Sequence, residues 1–174
     1  MIPEATFPAR GERRMHLVLV DDEPAILDIL AAACHADGHV VTTFGSSLDA
    51  LAFLQQNSVD LLITDIVMPP PDGFRLVSAA RKIHPRLDAI LVTGYTQRYS
   101  LEDVLACGAS DLLFKPFRLQ ELRARVRLAE ERRRVLAHHL RVLTHALEDP
   151  TNELLQREAR ELRAALDLKL ARPV

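Results

Sequence analysis

Cysteine is nearly absent from this chain of 174 residues: only Cys34 and Cys107 occur, each inside a helix-like pattern with no His or Cys partner at metal-ligand spacing. That argues against a disulfide framework or a zinc site and reads as two buried thiols in a reducing compartment. Tryptophan is missing, and no aromatic residue follows Phe117. No apolar run approaches the ~18–20 residues that a membrane span needs. The opening MIPEATFPARGERR has charge but no apolar stretch behind it, unlike a secretory signal. Internal repeats, low-complexity tracts and a Gly-rich ATP-binding segment are also lacking. What is present is a chain with 48% hydrophobic residues, too apolar for disorder. The expectation is a soluble, cytoplasmic protein with no membrane association.

The net charge of −2 hides a division. Residues 1–14 carry +1, residues 15–117 hold 6 basic and 13 acidic side chains, and residues 118–174 hold 13 basic and 9 acidic. One compact domain takes about 100–150 residues, so the acidic part suits a core and the basic part an appendage with a different task.

The acidic part alternates short apolar runs with helical spacing. His16-Leu-Val-Leu-Val20 ends abruptly in Asp21-Asp22-Glu23, and Pro24 opens a helix that Gly38 stops. The pattern then predicts strand 39–44, helix 47–57, strand 60–64, helix 73–84, strand 88–92, helix 98–107 and strand 111–114. Largely apolar strands such as Val59-Asp-Leu-Leu-Ile-Thr64 and Ala89-Ile-Leu-Val92 suit a sheet covered on both faces. Five strands separated by helices imply a doubly wound α/β fold with a parallel sheet, order 2-1-3-4-5, and ligands bound beyond the carboxyl ends of the strands.

Asp21 and Asp22 follow the first strand and Asp65 follows the third, its neighbour in that order. Crowded carboxylates repel, and a hard divalent cation held by oxygen ligands relieves the repulsion. Thr93 ends the fourth strand and Lys115-Pro116 the fifth, adding a hydroxyl and an ammonium. A carboxylate nucleophile, a metal, a hydroxyl and an ammonium suit a transferring phosphoryl group.

At these residues the chain resembles the receiver domain of two-component response regulators. The matching pieces are Asp21-Asp22, the run Thr64-Asp65-Ile-Val-Met68-Pro69-Pro-Pro-Asp72-Gly73, Thr93-Gly94 and Lys115-Pro116-Phe117. The resemblance implies that Asp65 accepts phosphate from the phosphohistidine of a sensor histidine kinase or a phosphotransfer protein. It also implies Mg²⁺ at Asp22, at Asp21 through water, at Asp65 and at the carbonyl of Val67. Thr93 would hold a phosphoryl oxygen, and Lys115 would pair with Asp65 or its phosphate. Such a protein is a self-phosphorylating switch more than a turnover enzyme. Residues 1–14 are then a flexible tail, 15–131 the receiver, and 132–174 a helical extension of its last helix.

The chain departs from the family at several places. Leu112 stands where the switch aromatic usually lies, so the coupled swing of hydroxyl and ring cannot operate in its usual form. Val67 and Tyr95 replace polar groups that often assist the attacking water, which predicts a long-lived phosphoryl group. Pro70-Pro71 should stiffen the loop.

From Arg118 onward, Leu119, Leu122, Val126, Ala129, Arg133, Leu136, Leu140, Leu143 and Leu147 follow a 3-4 spacing, a coiled-coil seam. Two readings stand: self-association into a homodimer through these helices, or an intramolecular hairpin. Asp149 and Pro150 supply an N-cap and first turn for a second helix over 150–171. DNA binding is not expected. Arg132-Arg133-Arg134 adjoins Glu130-Glu131, no helix-turn-helix pattern occurs, and aromatics are missing there. His145-Ala-Leu147-Glu-Asp-Pro150 weakly resembles the phosphoacceptor box of histidine-kinase dimerisation hairpins, with Ala146 where an acid normally follows. The alternative function is therefore a degenerate kinase-like hairpin that relays phosphate through His145 or acts as a constitutive scaffold.

Overall fold

The computed structural model describes residues 14–94 and 99–170. Two compact units divide the chain, one ending at Val126 and the other beginning at Arg127. The first unit holds strands β1 (His16–Val20), β2 (Val40–Phe44), β3 (Leu61–Asp65), β4 (Asp88–Thr93) and β5 (Asp111–Phe114). Helices α1 (Pro24–Ala36), α2 (Ser47–Gln56), α3 (Gly73–Ile83) and α4 (Leu101–Cys107) lie between them in sequence. All pairings are parallel and the order is β2-β1-β3-β4-β5, as the alternation of elements implies.

Every residue of β3 is buried, and β4 is buried from Ala89 onward. Side chains alternate faces along a strand, so a strand with no exposed position must be covered on both sides. Val18, Val20, Leu62 and Leu91 join Ala50, Leu54, Leu76, Val77 and Ala80 of α2 and α3 in one core cluster. Their strand neighbours Leu17, Leu19, Ile63 and Ile90 are fully buried too. The edge strands β2 and β5 each keep exposed positions.

Helix ends follow local chemistry. Ser46 and Asp72 cap α2 and α3 by accepting from the Asp49 and Arg75 amides. Ser100 and Asp103 form a reciprocal capping box at the start of α4. The helix therefore starts at Leu101 rather than at 98, a position outside the described residues. At its other end Gly108 turns the chain with φ +85°, a left-handed conformation in which a side chain is strained.

The last strand leads into α5 (Leu119–Glu148), a continuous helix of 30 residues, followed by α6 (Glu153–Leu170). In the second unit α5 and α6 form a helical hairpin. Val142 and Ala146 of α5 pack with Ala159 of α6 in a small buried cluster, flanked by Leu143, Leu155 and Leu162. The Gln156 amide donates to the Ala146 carbonyl across the pair, and His138 Nε2 stands 3.5 Å from Glu158 Oε1.

The N-cap of α6 is not Asp149 as expected. Asp149 Oδ1 instead accepts from the Thr151 amide and hydroxyl at 3.2 and 2.7 Å, and Asn152 Oδ1 accepts from the Leu155 amide at 3.2 Å. Asp149 and Asn152 each accept from a nearby backbone amide through a short polar side chain, and the later of the two sets the boundary. No helix of the described residues is long and apolar enough to cross a membrane.

Candidate functional site

The sheet register assembles the site. Val20 pairs with Thr64, Asp65 with Val92, and Thr93 with Phe114. Asp21, Asp65, Thr93 and Lys115 therefore stand within two residues of each other in height along the carboxyl edge. Asp65 and Thr93 are the final residues of their strands, not the first residues beyond them as the apolar runs suggested. The Lys115 amide donates to the Thr93 carbonyl at 2.7 Å, which continues the ladder one residue past β5.

Asp21 is 2% exposed, Asp65 7% and Thr93 fully buried, whereas Asp22 is exposed. One carboxylate oxygen from each of Asp21, Asp22 and Asp65 lies within 4.8 Å of the others. Lys115 Nζ bonds Asp21 Oδ2 at 2.8 Å and stands 3.5 Å from Asp65 Oδ1 and 4.0 Å from Glu23 Oε1. Asp21 is held in turn by the Glu23 amide, which donates to its Oδ1 at 3.0 Å. The ammonium thus sits closest to Asp21 and leaves Asp65 Oδ1 buried without a hydrogen-bond partner.

That arrangement sets the electrostatics. Burial pushes the Asp65 carboxyl above its ordinary value; Lys115 opposes this, and the Asp21 charge adds to it. Burial pulls Lys115 down, but the hydrogen bond and charge of Asp21, with the charge of Asp65, outweigh it and hold Lys115 above its ordinary value. A buried, under-satisfied carboxylate next to two more oxygen donors fits a small hard cation, whose preferred ligands are carboxylates and carbonyls. The donor set therefore suits Mg²⁺.

Val67 lies two residues beyond Asp65 in the loop after β3, with its side chain 39% exposed. Leu112 on β5 is partly buried against the core. Tyr95 lies outside the described residues. His145 is exposed on the last turn of α5, Ala146 is buried in the hairpin, and Pro150 falls in the turn between helices.

Two contributors went unread in the sequence. Glu23 approaches Lys115, and nothing in its spacing distinguishes it from a loop acid. Gly73 lies against the backbone of Asp65: a Cβ there would collide with the Asp65 carbonyl oxygen and stand 2.9 Å from Ile66 Cα. Its amide donates to the Ile66 carbonyl at 3.1 Å. A glycine opening a helix, where a better helix former is usual, was the available signal. Gly73→Ala is expected to cost about 1–3 kcal/mol, as overpacking against backbone does. A melting curve within 1 °C of wild type, a shift roughly equivalent to a few tenths of a kcal/mol, would contradict this.

A doubly wound parallel sheet with an acidic cluster and a lysine at its carboxyl edge defines a class of phosphoacceptor domains, and comparison with known proteins agrees. Residues 17–127 match the family described as response regulator receiver domain, and the chain belongs to that family. It is similar to response regulator SaeR of Staphylococcus aureus, 34% identical over 111 residues that make up 64% of this chain and 48% of SaeR. The chain thus spans about half the length of the curated relatives it matches. Among solved structures it is similar to a CheY-like receiver domain protein from Methanospirillum hungatei, with 28% identity, TM-score 0.64, and coverage of 70% of this chain and 98% of that one. It is also similar to response regulator TrrA from Thermotoga maritima, solved in complex with Mg²⁺ and BeF, with 29% identity, TM-score 0.61 and coverage of 66% and 98%.

Proposed function

We propose that Asp65 is the phosphoacceptor of a two-component response regulator and that the helices after residue 131 carry the output. The carrying observation is the buried Asp65 carboxylate, lacking a hydrogen-bond partner at Oδ1 beside Lys115 and the Asp21-Asp22 pair. In the proposed step an Asp65 oxygen attacks the phosphorus of a phosphohistidine, presented by a sensor histidine kinase or phosphotransfer protein. The P–O bond forms as the P–N bond breaks, and the electron pair returns to the donor imidazole. The Thr93 hydroxyl donates to a phosphoryl oxygen, and Lys115 shifts its ammonium from the carboxylates toward the new charge. Asp21, Asp22, Asp65 and the Val67 carbonyl would hold Mg²⁺, which when bound offsets the negative charge of the phosphoryl oxygens. TrrA, a similar protein solved in complex with Mg²⁺ and BeF, supports Mg²⁺ as the cation.

The receiver is taken as residues 15–131 and the helical extension as 132–174, with self-association through that extension as the partner reading. Borohydride reduction of an acyl phosphate, followed by peptide mapping, tests the acceptor: the modified residue is expected at Asp65, and modification elsewhere would overturn the assignment. Val67 and Tyr95 are apolar or bulky at the sequence positions, two after Asp65 and two after Thr93, where polar residues often assist the attacking water. The phosphoryl group is therefore expected to be long-lived, and Val67→Asn with Tyr95→Glu to shorten its half-life about 100-fold, the lower end of what one positioned acid–base group contributes. An unchanged half-life would sink that reading.

A further inference from the structure

One stripe of α5 lies mostly outside the contact with α6 along its second half; among the described residues only its Leu143 flanks that contact. Leu122, Val126 and Ala129 are buried. The same stripe continues as Leu136, Leu140, Leu143 and Leu147, of which Leu136 is 41% and Leu147 73% exposed, with Leu140 and Leu143 half-buried. The cluster shared with α6 centres instead on Val142 and Ala146, about a quarter-turn round the helix.

The spacing of these four leucines, 4-3-4, reads the same in both directions. Two copies laid antiparallel would therefore stack Leu136 on Leu147 of the second copy, and Leu140 on Leu143 of the second copy. These are the alternating core layers of an antiparallel coiled coil. A parallel pair would stack each leucine on itself, so the spacing alone leaves the direction open.

Charge decides the direction. Residues 142–156, the tip of the hairpin, hold three acidic side chains and no Lys or Arg. Residues 127–141 hold five Arg against two Glu, and residues 157–170 hold four basic against three acidic side chains. Each hairpin is thus negative at its tip and positive at its open end. A parallel pair sets two acidic tips side by side, within a Debye length of about 8–10 Å at physiological salt. An antiparallel pair sets each tip on the other's basic end, with Arg134 over Asp149 of the second copy in the register that stacks the leucines.

We infer that the chain self-associates as an antiparallel dimer through the Leu136–Leu147 stripe of α5. This rests on the self-association proposed above but not on the phosphoacceptor assignment, which the phosphorylation experiments test separately.

The test uses the full chain carrying Leu136→Cys or Leu147→Cys, substitutions at exposed positions that leave the core intact. The native thiols do not compete: Cys34 and Cys107 are buried, and burial pushes Cys34 up to about 11. Sedimentation should give a dimer mass at about 100 μM, and Leu147→Glu should weaken the dimer about 100-fold, because each copy loses a buried leucine. Under mild oxidation, a mixture of the two cysteine variants should cross-link while neither variant alone does. Self-linking of Leu147→Cys would overturn the antiparallel direction and leave the dimer standing. A monomer mass throughout would overturn the dimer itself.

Discussion

Asp65→Asn is expected to raise the melting temperature of the metal-free protein by about 5 °C and to remove more than half of the stabilisation that Mg²⁺ gives the wild type. The carboxylate it replaces is 7% exposed, and its Oδ1 has no hydrogen-bond partner. Lys115 at 3.5 Å offsets only part of that burial, and a buried polar group short of a hydrogen bond costs about 1 kcal/mol, equivalent to about 4–8 °C in a small domain. Asparagine keeps the shape and drops the charge.

The pH dependence has a definite sign. Burial raises the Asp65 carboxyl above its ordinary 3.8, with Asp21 adding to the effect. The folded protein therefore holds this proton more tightly than the unfolded chain. The wild type's deficit against Asp65→Asn is full when pH exceeds the folded-state value. It shrinks as pH falls through that value and vanishes below 3.8, the value in the unfolded chain. Magnesium acts in the opposite sense to the deficit. Saturation at 100 times its dissociation constant stabilises the fold by about 2.7 kcal/mol, and the variant has lost one of the three carboxylates. Differential scanning measurements with Mg²⁺ and with chelator check both parts. A lower melting temperature for Asp65→Asn without metal would contradict the account.

Lys115→Met is expected to destabilise the metal-free protein by about 3 kcal/mol, a melting shift on the order of 10–20 °C. Asp21 is almost wholly buried, and its 2.8 Å partner is the Lys115 ammonium, whose side chain is 20% exposed. Removing one member strands the other's charge, which costs more than removing both. Lys115→Met with Asp21→Asn should accordingly recover most of the loss. The contribution of Lys115 is fully present below 10.5 and fades as pH rises through its raised folded-state value. Because Lys115 and Mg²⁺ compete for Asp21 and Asp65, the single variant should bind Mg²⁺ more tightly while accepting phosphate more slowly. Isothermal titration and melting curves separate these effects, and unchanged stability would show that the ion pair is dispensable.

The receiver was legible because its signals agree at several levels. β-branched and aliphatic runs marked the strands, and the acids and the lysine stood where those runs stopped. Asp65 and Thr93 fell one position outside the expected strands because a polar side chain ends an apolar run before the hydrogen-bond ladder ends. The close approach of Gly73 to the Asp65 carbonyl was hidden, since contacts through backbone leave little trace in side-chain patterns. In the tail, α5 carries two apolar stripes, one through Val142 and Ala146 and one through Leu136, Leu140, Leu143 and Leu147. Periodicity gives both, and only packing shows that Leu155, Ala159 and Leu162 of α6 associate with the first and, of the second, with Leu143. The α6 cap was misplaced for a related reason: Asp149, Thr151 and Asn152 are all good local hydrogen-bonding residues.

The most direct measurement is the intact mass of wild type, Asp65→Asn and His145→Gln after incubation with a small phosphodonor, with Mg²⁺ or with chelator. The account predicts one added phosphoryl group in wild type and His145→Gln with Mg²⁺, and none in Asp65→Asn or with chelator. An adduct that survives Asp65→Asn, or disappears in His145→Gln, would contradict it.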